Sequence, residues 1–262
     1  MKKSIFNTAN IFEKLKIVEP MLQALHAGVV FEVPELSARD TLVLDPRYHP
    51  AKERSMESKD RQARLLHDLA SIELQALELA IRTLVDFPEA PKQFKAELEK
   101  IALSEASHLQ LCLDGLSDLN AQWGAYPIHL ALWGAVSHED SLLDRILIVH
   151  RYLEGSGLDA GAALLRRLAG VSGSDKTQKI MQTIHDDEID HVLFGSRWYQ
   201  KICKAQLLDP DLDFAERIQK LRAILPRRNE KIEIETRYKA GFSISEVQTL
   251  SALRESFLRP QI

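Results

Sequence analysis

From residue 59 onward, apolar residues recur at intervals of three and four. Leu66, Leu69, Ala70, Ala76, Leu77 and Ala80 form one stripe, and Leu98, Ile101, Ala102, Leu109 and Cys112 form a second. Leu143, Leu147 and Leu158 belong to a third; Met181, Ile184, Val192 and Gly195 make a fourth. This spacing marks a helix with one buried face. No stretch of any length alternates with the period of two that a strand requires. The stripes predict helices over about 59–86, from near Pro91 to about 119, from near Ser137 to about 170, and from Asp175 to about 206. The first stops before Phe87-Pro88, because the residue ahead of a proline is driven out of helical backbone. Pro91 suits the first turn of the second. Ser137 is the candidate cap of the third, and Asp175 with Gln178 resembles a capping box for the fourth. Gly155, Gly157 and Gly161 are expected to bend the third helix, and Gly170 to Gly173 to form a turn.

The flanks are weaker. A helix over 5–27 fits Ile11, Leu15, Ile17 and Leu22, with Pro20 breaking or bending it. Residues 28–58, with Pro34, Pro46 and Pro50, read as an extended, irregular arm. Two further helices are expected near 211–225 and 244–257. Residues 120–137 hold Gly124, Pro127 and Gly134, a connection long enough to cross a bundle. The expected fold is all-α: a four-helix bundle with a long crossover connection over 59–206, an N-terminal helix and arm over 1–58, and a C-terminal helical extension over 207–262.

Composition narrows the function. The 262 residues are 45% hydrophobic and 27% charged, ordinary values for a soluble globular protein. A net charge of −4 argues against a dedicated nucleic-acid binder. A local basic excess, eight Lys or Arg against three Glu between Arg217 and Lys239, reads as a solvated surface helix and its loop. Cys112 and Cys203 form no Cys-x-x-Cys pair and no disulfide framework, which suits a reducing cytosol. The N-terminal segment lacks the apolar core of a secretory signal. Ile128–Val136 is too short to span a bilayer. The expectation is a cytoplasmic protein with no membrane partner.

Each of the four stripes also carries a glutamate. Glu73 is followed 32 residues later by Glu105-Ala-Ser-His108, and Glu154 is followed 34 residues later by Glu188-Ile-Asp-His191. Glu and His three apart share a helix face and can reach one ion. Four unpaired carboxylates in one apolar core would repel and take up protons, and Lys and Arg are absent from the stripes. Two divalent cations, with a charge of about +4, would balance them, as in four-helix bundles that hold two metal ions. The predicted ligands are therefore Glu73, Glu105, His108, Glu154, Glu188 and His191. Carboxylate-rich sites with one imidazole per metal suit iron or manganese over structural zinc, and donor affinity alone does not choose between the two; iron is the expected metal, with manganese as the alternative. His150, His185, Asp187 and Asp190 flank the ligands and are candidates to hydrogen-bond and orient them. His67 stands open between such a role and that of a satisfied core histidine. Tyr152, Trp198 and Tyr199 read as packing groups. No catalytic residue beyond the ligands is legible.

The segments HDLASIELQALELA, SEASH, YLEGSGLDA and DDEIDHVLFGSRWY resemble a bacterial ferritin-like family known as domain of unknown function 455, within the di-iron carboxylate superfamily. The resemblance covers about 59–206, with a weaker echo at Ala240-Gly-Phe-Ser243. It implies a ferritin-like bundle and a two-metal centre, with Glu105 and Glu188 as the bridging ligands. The family itself brings no activity. Cys112 stands where the radical-generating subunits of the superfamily place a tyrosine, and the cysteine-rich iron module of rubrerythrins is missing. The leading expectation is an oxygen-activating oxidoreductase of hydroxylase or monooxygenase type. It would act on O2 and a small apolar substrate. Its electrons would come from a separate donor, since the sequence has neither a dinucleotide fingerprint nor iron–sulfur cysteines. It is expected to be a monomer or small homo-oligomer. The alternatives are an iron-binding, storage or detoxification protein, which would assemble as a cage, and a metal-free helical interaction module. A tRNA substrate is a minor alternative, motivated by the basic stretch and one superfamily relative.

Overall fold

A computed structural model describes residues 2–40, 43–45, 56–228 and 230–258. Its regular elements are helices, and the fold is all-α. The chain divides into two compact units, Met1–Trp133 with Val171–Ile180, and Gly134–Gly170 with Met181–Ile262.

The first unit is built on a helical hairpin. Helix α1 spans Ile11–His26, α2 Lys59–Asp86 and α3 Lys92–Asp118. α2 packs along α3, and α1 packs on α3. The Asn10 side chain caps α1 by accepting from the N–H groups of Phe12 and Glu13, so this helix starts later than the apolar pattern suggested. Pro20 lies inside α1 and does not break it. It is exposed, so water can bond the carbonyl that loses its N–H partner. Ser58 caps α2, which ends just before Phe87-Pro88.

α2 is more deeply enclosed than one stripe implies: every residue from Glu73 to Leu84 is buried. A helix buried all round lies at the centre of its core. Its charged residues therefore need partners. Glu78 accepts from Lys14 Nζ at 2.7 Å and from Ser37 Oγ at 2.7 Å, and the Arg39 guanidinium grips both its oxygens. Lys14, fully buried, also donates to the Ile5 carbonyl at 2.5 Å. This knot ties three points of the N-terminal segment to α2. That segment has no helix or strand over the described residues 28–40 and 43–45. It touches the rest through a parallel bridge between Leu44 and Ile128 and a bond from Trp133 Nε1 to the Glu35 carbonyl at 2.8 Å. The rest of the predicted arm, including Pro46 and Pro50, lies outside the described residues.

In the second unit the third predicted helix is continuous but not uniform. α4 (Leu142–Ile146) leads into a π-helical segment, Leu147–Leu153, and then into α5 (Glu154–Leu168). Its cap is Ser141, not Ser137. Ser141 accepts from the Asp144 N–H and Asp144 accepts from the Ser141 N–H, a reciprocal capping box. Ser137 spends the same Ser-x-x-Asp pattern on the preceding turn, its N–H bonded to Asp140. α5 runs unbroken through its glycines, and two of them admit close neighbours. A Cβ at Gly155 would fall 2.2 Å from the Arg237 guanidinium, and one at Gly161 would fall 2.9 Å from His185 Nδ1.

Helix α6 spans Asp175–Ala205, α7 Pro210–Leu221, α8 Ile234–Lys239 and α9 Ile244–Leu258. Asp175 is the first helical residue of α6 and not its cap: the Gln178 N–H bonds the Ser174 carbonyl at 2.8 Å. α8 was not foreseen.

Every residue from Leu143 to Leu153 is buried, including Arg145 and Arg151. Arg151 makes a two-pronged pair with Glu246, both contacts 2.7 Å, and lies over the rings of Tyr199, Phe214 and Phe242. Arg237 and Arg254 share Asp159 at 2.6 and 2.7 Å. Arg217 joins Asp213 and Asp144 at 2.6 and 2.7 Å. The basic stretch is thus not simply a solvated face, because Arg217 and Arg237 turn inward to hold the C-terminal helices. Arg145, Arg151 and Arg237 are buried although the apolar stripes themselves hold no Lys or Arg. Among the described residues no helix is long and apolar enough to cross a membrane.

Candidate metal centre

The α2–α3 hairpin brings three predicted ligands of the first unit together. Glu73, Glu105 and His108 are 3%, 0% and 1% exposed. His108 Nδ1 lies 3.4 Å from Glu73 Oε2 and 3.7 Å from Glu105 Oε2. One donor atom from each of the three falls within 4.8 Å of the others. The local cause is simple. Glu105 and His108, one helical turn apart, project from the same side of α3, and the antiparallel hairpin sets Glu73 opposite them.

The electrostatics of this group call for positive charge. Burial alone would lower the His108 pKa, but the adjoining Glu105 and Glu73 carboxylates outweigh it and raise the pKa to about 11. Burial, followed by the charge of Glu73, pushes the Cys112 thiol well above its ordinary range. A metal ion competes with such a proton for the same imidazole and carboxylates. Two carboxylates and one imidazole, nearly dry, form a buried cluster that could hold a metal ion.

The second unit places its predicted ligands in two Glu–His pairs. Glu154 opens α5 directly after the π segment, and its N–H donates to the Val149 carbonyl five residues back. Its Oε2 lies 2.8 Å from His150 Nδ1. On α6, Glu188 Oε1 lies 3.2 Å from His191 Nδ1. The side chains of Glu154, Glu188 and His191 are 8%, 14% and 6% exposed.

Of the other flanking residues, His150 touches a predicted ligand, Glu154, at hydrogen-bond distance. His185 is half-buried against Gly161. Burial lowers its pKa against the opposing charges of Asp186, Glu233 and Asp159. Asp187 and Asp190 are exposed on α6. His67 stacks on Trp123 at 4.7 Å and accepts the Gly124 N–H at 3.0 Å. Burial lowers its pKa to about 4, which fits a core histidine anchoring a loop. Two features escaped the sequence pattern. The π segment has no compositional signal. Gly195 had one, a glycine inside a helical core stripe, which marks a close approach.

Residues 7–248 match the family described as a protein of unknown function (DUF455). The chain belongs to this family. Another relative, a Haemophilus influenzae protein described as uncharacterized, is 26% identical over 274 residues, spanning 97% of this chain and 93% of that protein. The match to the family runs through both compact units and includes all six predicted ligands.

Proposed function

We propose that Glu154, Glu188 and His191 join Glu73, Glu105 and His108 around two metal ions in a ferritin-like bundle. On this reading the protein is an oxygen-dependent oxidoreductase of hydroxylase or monooxygenase type. The observation that carries the proposal is the burial of Glu73, Glu105 and His108 within contact of one another. Acidic side chains packed this closely in an apolar core need cations, and the second half of the chain repeats the same residue types at nearly the same spacing.

Iron or manganese, when bound, supplies the redox change that reduction of O2 requires. The remaining tasks fall to the chain. By the resemblance to the ferritin-like superfamily, Glu105 and Glu188 would be the carboxylates common to both ions, and His108 and His191 would give each ion one imidazole. Apolar residues of α2 and α3, among them Ala70, Leu77, Ala102 and Leu109, keep water away from the group. His150 and Glu154 hold each other in place. A separate reductant delivers electrons, since no cofactor-binding fingerprint accompanies the site.

The test is oxygen uptake. Protein loaded with iron and chemically reduced should consume O2 faster than the free metal does. Glu105→Gln should abolish the excess. Equal rates for wild type, variant and free iron would overturn the oxidoreductase reading. Loading far beyond two ions per chain, in a large assembly, would turn it into storage.

A further inference from the structure

One imidazole breaks the symmetry of the two halves. Four residues before Glu73 stands Leu69; four residues before Glu154 stands His150. The π segment Leu147–Leu153 likewise has no counterpart in α2. His150 and Glu154 stand four residues apart, neighbours on one helical face, and His150 rests directly against Glu154.

The orientation of the ring is informative. Its Nδ1 faces Glu154 Oε2 at 2.8 Å. Its Nε2 is buried and has no hydrogen-bond partner among the described residues, although the residue is only 1% exposed. The ring is held edge-on by Phe194, centroids 5.0 Å apart. Its backbone is drawn against α6 where Gly195 leaves room, since a Cβ there would lie 2.4 Å from His150 Cβ. A buried ring nitrogen without a partner is costly. A histidine that donates one N–H to a carboxylate while presenting its other nitrogen is the usual arrangement of a metal-ligating imidazole.

We propose that His150 Nε2 is a metal ligand of the second half-site, and that Glu154 serves mainly to hold the His150 ring. This inference rests on the two-metal reading and changes its ligand set: the second ion receives two imidazoles, from His150 and His191, and the first only His108. The two ions are then inequivalent, and the nitrogen-richer position binds late first-row metals the more tightly.

The experiment titrates the metal-free chain with Mn2+ and records stoichiometry together with the nitrogen hyperfine couplings of the bound ion. Wild type should take up about two ions. His150→Gln should lose one ion and one class of directly bonded imidazole nitrogen. Glu154→Gln should keep both ions and that nitrogen signal, with the second ion held about 10- to 100-fold more weakly. The reverse pattern, in which Glu154→Gln loses the ion and His150→Gln retains it with an unchanged nitrogen spectrum, would overturn the assignment. Wild type that binds no manganese would overturn the two-metal reading as well. Far-ultraviolet circular dichroism of both variants separates ligand loss from unfolding.

Discussion

His108 Nδ1 of α3 sits 3.4 Å from Glu73 Oε2 of α2, across the axis of the hairpin. That contact places an imidazole and a carboxylate from two helices on the same buried point. It requires both the i, i+3 spacing within α3 and the register between the helices. If the point is a ligand site, metal should act as a stabiliser. Iron(II) or manganese(II) at 100 times its dissociation constant should add about 2.7 kcal/mol. For a chain of this size that raises the melting temperature by roughly 5–10 °C. Differential scanning calorimetry should show the rise in wild type and its loss in Glu73→Gln or His108→Gln.

The Lys14–Glu78–Arg39 knot makes a separate claim about stability. Glu78→Ala leaves two cations buried without their carboxylate and should cost about 3–5 kcal/mol. Lys14→Met leaves Glu78 still gripped by Arg39 and should cost clearly less. Urea unfolding of the two variants checks the order. Equal losses would mean that Arg39 does not share the load.

Glycines of the second unit should divide sharply. Gly195→Ala forces a Cβ into the His150 backbone region and should destabilise by about 1–3 kcal/mol, while also loosening the His150–Glu154 contact. A Cβ at Gly157 meets nothing within 4 Å, and that residue is exposed on α5. Gly157→Ala should therefore stabilise by about 0.5–1 kcal/mol. Thermal melts of both variants decide it.

His67 predicts an acid limb. Burial depresses its folded pKa to about 4, from an ordinary value of 6.5, so the unfolded chain binds the proton first. Stability contributed by the neutral ring is fully present above pH 6.5. It falls as pH drops from there towards 4 and changes no further below. Melts of wild type and His67→Gln between pH 7 and pH 4 should show a shallower decline in the variant. Parallel curves would refute the assignment.

The bounds of α2 and α3 were legible to within a residue or so, because Pro88 and Pro91 punctuate the chain where the hairpin turns. The pairing of Glu105 with His108 was legible too, since a helix of known pitch fixes which side chains share a face. The π segment was not. It arises when hydrogen bonds slip by one residue, and Leu147–Leu153 is as compatible with α as with π backbone. The enclosed cations were missed for a related reason. Arg151 and Arg237 look like surface residues until the partners Glu246 and Asp159, 95 and 78 residues away in sequence, are folded against them. Ser141 displaced Ser137 as a cap because two Ser-x-x-Asp turns follow each other and only the second faces a helix. α8 is too short for periodicity to register.

Six side chains that hold a pair of metal ions should leave their mark on the metal content of the protein. Elemental analysis of protein purified from cells grown in ordinary iron- and manganese-containing medium, without metal added later, measures it most directly. Wild type should carry about two ions of iron or manganese per chain, reduced to about one or none in Glu105→Gln. Metal below about one ion per two chains in wild type, with no further uptake on adding iron(II) or manganese(II), would contradict it.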